Sequence, residues 1–441
     1  MESFRMGAAR DGGSRQRAGV FSTVALMVCA LVGGCTGEPE PFQPSPPTTT
    51  VPSPVPPPPE IAVPSPATPP PTTAVAPPSS SLRALKAMLE LYAGELLRAG
   101  APAVVIEAKV GQEEWRYAAG VRSRDGGVPV QPGDPVQVGG IIQTMVAVSV
   151  LKLVDEGRLA LDDPISKYLP ELDAFVHPPG PLSVRQLLGH TSGMPDYFPV
   201  LLESAPPRHV LTTPISPEQR LALAGTVPWQ PRQALEVSHS RSDYEALGLL
   251  VERLRGARLA DVLRADIVEP LGLRSTAMIG DGPAPAGLVH GYALVDGGLV
   301  DVAYSALNSG SASGAMISTV EDVNTFYAAL LRGELLSPDS LTEMKGRVFA
   351  DYGLGLDSWN DRCTNGFYYG HSGDVPGYGT IAISSADGNR QLAVSVAYPP
   401  SPLLSRPGAI ALEIEGVAQV ALTSSCRLQF RWTTGDQGTA R

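Results

Sequence analysis

Val138-Gly139-Gly140-Ile141-Ile142-Gln143-Thr144-Met145-Val146-Ala147-Val148 continues through Ser149-Val150 into Leu151-Lys152-Leu153-Val154-Asp155-Glu156-Gly157-Arg158-Leu159. It then reaches Leu161-Asp162-Asp163-Pro164-Ile165-Ser166-Lys167-Tyr168-Leu169-Pro170. The run reads as a long apolar helix opened by a glycine pair and followed by an acidic turn at a proline. Further segments follow in order: Leu182-Ser183-Val184-Arg185-Gln186-Leu187-Leu188-Gly189-His190-Thr191-Ser192-Gly193, Ser311-Ala312-Ser313-Gly314, Tyr352-Gly353-Leu354-Gly355 and Gly370-His371-Ser372-Gly373.

Each piece is weak alone, but five in order across one domain length point to one fold. Together they resemble the serine β-lactamase-like family, which groups class C β-lactamases, D-alanyl-D-alanine carboxypeptidases and related esterases. The resemblance covers roughly residues 82 to 425. It implies an α/β (α+β), β-lactamase/transpeptidase-like fold, with an antiparallel sheet built from both ends of the domain and a mostly helical subdomain between.

The residue patterns agree with that outline. Leu82, Leu85, Leu89, Tyr92 and Leu96 recur at helical spacing, and Gly100 ends the run. Residues 103–108 and 115–119 read as strands around a turn at Gly111. The middle of the domain is mostly helical patterns separated by Pro/Gly loops. Residues 380–384 and 391–397 form a hairpin around Asp387-Gly388-Asn389, and Ile410, Ile414, Val417 and Ala421 mark a closing helix.

The resemblance also implies a chemistry. A serine at a helix N-terminus attacks an acyl carbon, a lysine one turn later helps remove its proton, and a Tyr-x-Asn loop assists from the opposite wall. A Lys/His-x-Gly element on the edge strand frames the oxyanion hole. Carried over position by position, Gly140 stands at the nucleophile, Ile142 at the usual Thr and Gln143 at the lysine. Counting back from Tyr244-Glu245-Ala246-Leu247-Gly248 places His239-Ser240-Arg241 where Tyr-Ser-Asn is usual; a register at Val237-Ser238-His239 stays open, and both lack Tyr and Asn. His371-Ser372-Gly373 is intact, but Asp374 follows and would bring negative charge toward the oxyanion site.

Glycine has no group with which to form an acyl-enzyme, and an amide is no base near neutral pH. Loss of the nucleophile alone costs on the order of 10⁶ in turnover, so these positions read as a degenerate active site. The leading expectation is a catalytically inactive domain that binds a cell-wall peptide or a protein partner. Arg241, with His371, Ser372 and Gly373, would offer a cradle for a carboxylate. The alternative is a serine hydrolase with a substitute nucleophile, for which Ser240 beside His239 is the candidate.

Other groups draw blander readings. Ser149-Val150-Leu151-Lys152 is literally Ser-x-x-Lys, but lies nine residues past Gly140 and points about 180° away, so it reads as a packing serine. His190 and Ser192 read as structural parts of a turn. A Zn²⁺ site from His239, His371 and Asp374 is conceivable but set aside, and no metal or cofactor is expected.

Outside the domain, the composition changes abruptly. Eighteen of the chain's 44 prolines lie between Pro39 and Pro78, mixed with Ser, Thr, Ala and Val. Such a stretch cannot build a core and favours an extended polyproline stalk. Upstream, Arg5, Arg10, Arg15 and Arg17 precede an apolar run from Ala18 to Val32 that ends Leu31-Val32-Gly33-Gly34-Cys35. This order resembles a secretory signal and a bacterial lipoprotein cleavage box. The expected organisation is therefore a signal peptide at 1–34, lipidated Cys35 and linker at 35–81, the domain at 82–425 and a C-terminal tail at 426–441. The protein would be exported and anchored by lipid to the outer face of the membrane.

Cys29 would leave with the signal, so Cys363 and Cys426 remain to pair or to stay as buried thiols. A bridge would close a loop worth on the order of 4 kcal/mol by the chain-entropy argument. Removing residues 1–34, with four Arg against Glu2 and Asp11, takes the net charge from −11 to about −13. An acidic domain is a poor candidate for nucleic acid.

Overall fold

A computed structural model describes residues 82–229, 238–280, 282, 285–347, 351–403 and 408–433. The signal segment, Cys35 and the proline-rich stretch lie outside the described residues. Helix α1 (Arg83–Arg98) buries Leu85, Leu89, Tyr92 and Leu96, the stripe its spacing predicts. It leads into β1 (Ala103–Val110) and β2 (Glu113–Gly120), joined at Gly111, whose positive φ of 64° suits the turn.

From the far end of the domain come β3 (Asp357–Asp361), β4 (Gly366–Val375), β5 (Tyr378–Ser385) and β6 (Arg390–Ala397). All pair antiparallel in one sheet of order β2-β1-β6-β5-β4-β3. The β5–β6 hairpin matches the sequence expectation. His371 lies on β4, second from the edge of the sheet, just beyond the point where the outer strand's pairing ends at Gly370. β3 pairs outside β4, with Trp359 opposite Tyr368. Its Asp-Ser-Trp-Asn-Asp composition carries little β propensity, so only that cross-strand pairing marks it.

Helix α2 (Ile141–Asp155) crosses between the sheet and the helical region. Its sequence is apolar on every side, and twelve of its fifteen residues are buried, so it runs through the core. Ser149 is fully buried within it, in keeping with a packing role. Helix α4 (Arg241–Arg255) packs against it and carries α3 (Pro217–Ala224) on its far side, while α5 (Val320–Leu331) meets it where Tyr327 bonds Thr144. The closing helix, α6 (Gly408–Thr433), lies against the other face of the sheet, where Ile414, Ala418, Ala421 and Leu422 join α1 in a second apolar cluster.

Helix α6 runs through residue 426, which corrects the expected tail boundary at that position. Cys426 is buried and bridged to Cys363, with the two Cα atoms 5.6 Å apart. Among the described residues no helix is long and apolar enough to cross a membrane.

Candidate functional site

Gly139 and Gly140 form the entry to α2. Gly139 adopts φ +53°, and Gly140 is the residue before the first helical turn. Strand β4 packs directly on this corner. A Cβ at Gly140 would stand 2.8 Å from the Ser372 carbonyl oxygen and 3.5 Å from His371 Cε1. A Cβ at Gly139 would stand 3.1 Å from Asp374 N, and one at Gly373 would overlap the Val138 carbonyl. The nucleophile position is thus vacant in chemistry and closed in space.

One turn later, Gln143 is built into a buried polar network. Its Nε2 donates to the Ser313 carbonyl at 3.3 Å, and its Oε1 accepts from His190 Nε2 at 3.2 Å. His190 Nδ1 lies 2.9 Å from Asp243 Oδ2, and Ser192 Oγ donates to Asp243 Oδ1 at 2.5 Å. All four side chains are buried. Burial disfavours charge here and pushes the His190 pKa down, to about 3, so its imidazole is neutral near physiological pH. His190 itself sits at φ +52°, a left-handed conformation that these bonds hold in place. The helix before it (Val184–Leu188) starts from a capping box in which Ser183 and Gln186 bond reciprocally.

His371 is equally committed. Its Nδ1–H donates to the Ser372 carbonyl at 2.5 Å, and its Nε2 accepts from the Tyr352 hydroxyl at 3.0 Å. Burial pushes its pKa down to about 4, so it is neutral at physiological pH. Ser372 N–H bonds the Asp357 carboxyl, which burial and the nearby Glu415 push up to about 8. Asp374 has a buried Oδ1 with no hydrogen-bond partner among the described residues, and burial raises its pKa to about 7 against the pull of Arg241.

The second motif is divided by its structure. His239 is exposed at the mouth of the site, its ring 4.5 Å from that of His190 and its Nε2 3.5 Å from Gln143 Nε2. Desolvation by the surrounding protein lowers its pKa well below the ordinary value, and the neighbouring His190, Arg241 and His371 push the same way. Ser240 precedes the first turn of α4. Its hydroxyl is buried without a partner among the described residues, while its N–H points to His190 Nδ1 at 3.3 Å. Arg241 pairs with Asp196 at 2.8 Å and lies 4.4 Å from the Phe198 ring centroid. The carboxylate cradle drawn from sequence is therefore not assembled: its cation is neutralised by Asp196, and both nitrogens of His371 are occupied.

His239, His371 and Asp374 do not gather as metal ligands either. Among the described residues the one such cluster is Asp361, Cys363 and Cys426, and its two sulfurs are bridged to each other. Sequence reasoning missed Asp243, Tyr352 and Asp357. Asp243 lies in the first turn of α4, Tyr352 figures in the sequence only as part of the Tyr352-Gly353-Leu354-Gly355 motif with no role assigned, and nothing local marks Asp357.

The model of the beta-lactamase family matches residues 85–412. The chain belongs to the beta-lactamase family. This family member is 30% identical over 199 residues to esterase EstB of Burkholderia gladioli, an alignment covering 41% of this chain and 48% of that protein. It is 22% identical over 306 residues to penicillin-binding protein 4* of Bacillus subtilis, covering 65% and 66%. The chain spans about half the length of the first curated relatives it matches. Among solved structures, a D-stereospecific amidohydrolase from Streptomyces sp. superposes with TM-score 0.63 at 28% identity, covering 73% of this chain and 95% of that one. D-amino acid amidase from Ochrobactrum anthropi SV3 superposes with TM-score 0.65 at 21% identity, covering 79% and 99%, and shares the fold.

Proposed function

We propose that this chain is a non-hydrolytic member of the beta-lactamase family, tethered through Cys35 to the outer face of a cell membrane, that binds a cell-wall peptide or a protein partner. The observation that carries the reading is the corner at Gly140. It has no nucleophile, and a Cβ there would stand 2.8 Å from the Ser372 carbonyl. The lysine's replacement supports the same reading, because Gln143 is spent on Ser313 and His190 and has no basic lone pair to offer.

A substitute nucleophile at Ser240 is less well supported. The His190 imidazole faces the Ser240 backbone N–H and Asp243, and the Ser240 hydroxyl has no hydrogen-bond partner among the described residues. Contact with a ligand falls instead to the mouth of the site, where His239 opens to solvent. Calorimetric titration of the full chain with a peptide ending in D-alanyl-D-alanine tests this. The expected result is saturable binding, recovery of intact peptide, and affinity at least about fivefold weaker for His239→Ala. Cleavage of the peptide would overturn the non-hydrolytic reading, and absence of binding would remove the cell-wall peptide and leave a protein partner.

A further inference from the structure

The disulfide lies in an asymmetric electrostatic setting. Cys426, in α6, is buried, and Arg390 at the start of β6 directs Nη1 to its Sγ at 2.9 Å. Cys363, in the β3–β4 turn, is half-exposed. Its backbone N–H bonds Asp361 Oδ1 at 2.9 Å, so a carboxylate sits at the base of that cysteine. Asp361 and Arg390 also pair with each other at 2.5 Å. The Tyr368 hydroxyl lies 3.3 Å from Cys363 Sγ and 3.9 Å from Cys426 Sγ.

Thiol–disulfide exchange is governed by which sulfur an incoming thiolate can reach and which sulfur leaves more readily as a thiolate. A guanidinium hydrogen-bonded to sulfur stabilises its thiolate, and a neighbouring carboxylate destabilises one. Access and the Arg390 contact therefore point in the same direction, while the Asp361 carboxylate lies within 4.8 Å of both sulfurs and does not separate them.

We propose that Cys363 is a site of S-thiolation by low-molecular-weight thiols, with Cys426 as the leaving sulfur held by Arg390. The incoming thiolate forms a bond to Cys363 Sγ, the Cys363–Cys426 bond breaks, and its electron pair passes to Cys426 Sγ. One disulfide is thus exchanged for another with no net oxidation. A second thiolate attacking the added group releases Cys363 and completes a two-electron reduction of the bridge, with two small thiols oxidised to their disulfide.

The modification would fall on the hairpin that carries His371. Besides the bridge, that hairpin is tied to α6 by the Trp359 Nε1 bond to Glu415, the Gln419 bond to the Asn360 carbonyl and the Tyr368 hydroxyl beside Cys426 and Thr423. Opening it would loosen the sheet edge behind the site while the apolar contacts of α6 remain.

The test uses the full chain and glutathione. The oxidised protein is incubated with reduced glutathione, quenched with N-ethylmaleimide and mapped by peptide mass spectrometry. The expected species carries glutathione on Cys363 and maleimide on Cys426. Glutathione on Cys426, an even split, or no mixed disulfide when a dithiol readily reduces the bridge would each overturn the proposal. Arg390→Met is expected to slow opening on the order of tenfold, and Arg390→Lys to retain most of the wild-type rate. An unchanged rate in Arg390→Met, with a native circular dichroism spectrum, would also overturn it.

Discussion

Two buried polar regions flank the loop at residues 311–314, and they have kept different things. On one side, Arg220 of α3 and Glu245 of α4 form a fully buried ion pair 3.4 Å apart. Ser311 and Ser313 donate to Glu245 at 2.5 and 2.9 Å, and Arg220 donates to the Ser309 carbonyl at 2.6 Å. On the other side, at the mouth of α2, Gly140 and Gln143 stand where a nucleophile and a cation would be needed, and the neighbouring histidines are neutral. Charge persists where it orders the scaffold and is gone where it would do chemistry. The Ser313 residue joins the two regions, giving its hydroxyl to Glu245 and its carbonyl to Gln143.

The largest expected effect comes from breaking the charged side. Glu245→Ala leaves Arg220 buried without its carboxylate and is expected to destabilise the domain by about 3–5 kcal/mol in urea unfolding. A loss under about 1 kcal/mol would mean the pair does not order the scaffold.

Refilling the emptied side should come next. Gly140→Ser forces its Cβ against the Ser372 carbonyl, and the expected cost is about 1–3 kcal/mol. The double variant Gly140→Ser with Gln143→Lys should still form no penicillin adduct, because the corner is closed as well as unreactive. Adduct formation by the double variant would show that only the two side chains had been lost.

The neutral character of the site predicts a pH dependence with a definite sign. Asp357 and Asp374 have folded-state pKa values raised to about 8 and about 7, from an ordinary value of 3.8. In this range the folded state holds protons that the unfolded state has lost, so these groups make stability fall as pH rises. The lowered pKa values of His371, His190 and His239 act in the opposite direction, mainly below about 6.5, and fade over the next pH unit. From pH 7 to 8 the carboxyls dominate, and stability is expected to drop by about 1 kcal/mol. Asp357→Asn should flatten that decline, and an unchanged slope would place its cause elsewhere.

The smallest effect concerns how α2 is seated. Thr144 Oγ1 donates to the Gly355 carbonyl at 2.8 Å and lies 2.9 Å from the Tyr327 hydroxyl. Thr144→Val should cost about 1–2 kcal/mol, since it leaves buried partners unsatisfied.

Much of the fold was legible because its cues are local. The stripe of α1, the Gly111 turn, the β5–β6 hairpin and the all-apolar α2 each follow from spacing or turn chemistry within a few residues. Strand β3 was not legible, since its polar sequence pairs only because Trp359 meets Tyr368 across the sheet. The emptied positions Gly140 and Gln143 could be read from the chain. Their closure could not, because it depends on the approach of β4 from more than two hundred residues away. Likewise Arg241 looked like an available cation until Asp196, 45 residues upstream, was seen to pair with it.

The most direct measurement is intact-mass spectrometry of the folded protein after incubation with a fluorophosphonate and, separately, with a penicillin. The account predicts an unmodified mass in both cases, because Gly140 carries no hydroxyl and the buried Ser240 hydroxyl has no hydrogen-bond partner among the described residues. A stoichiometric adduct with either reagent, mapped to any serine of the site, would contradict it.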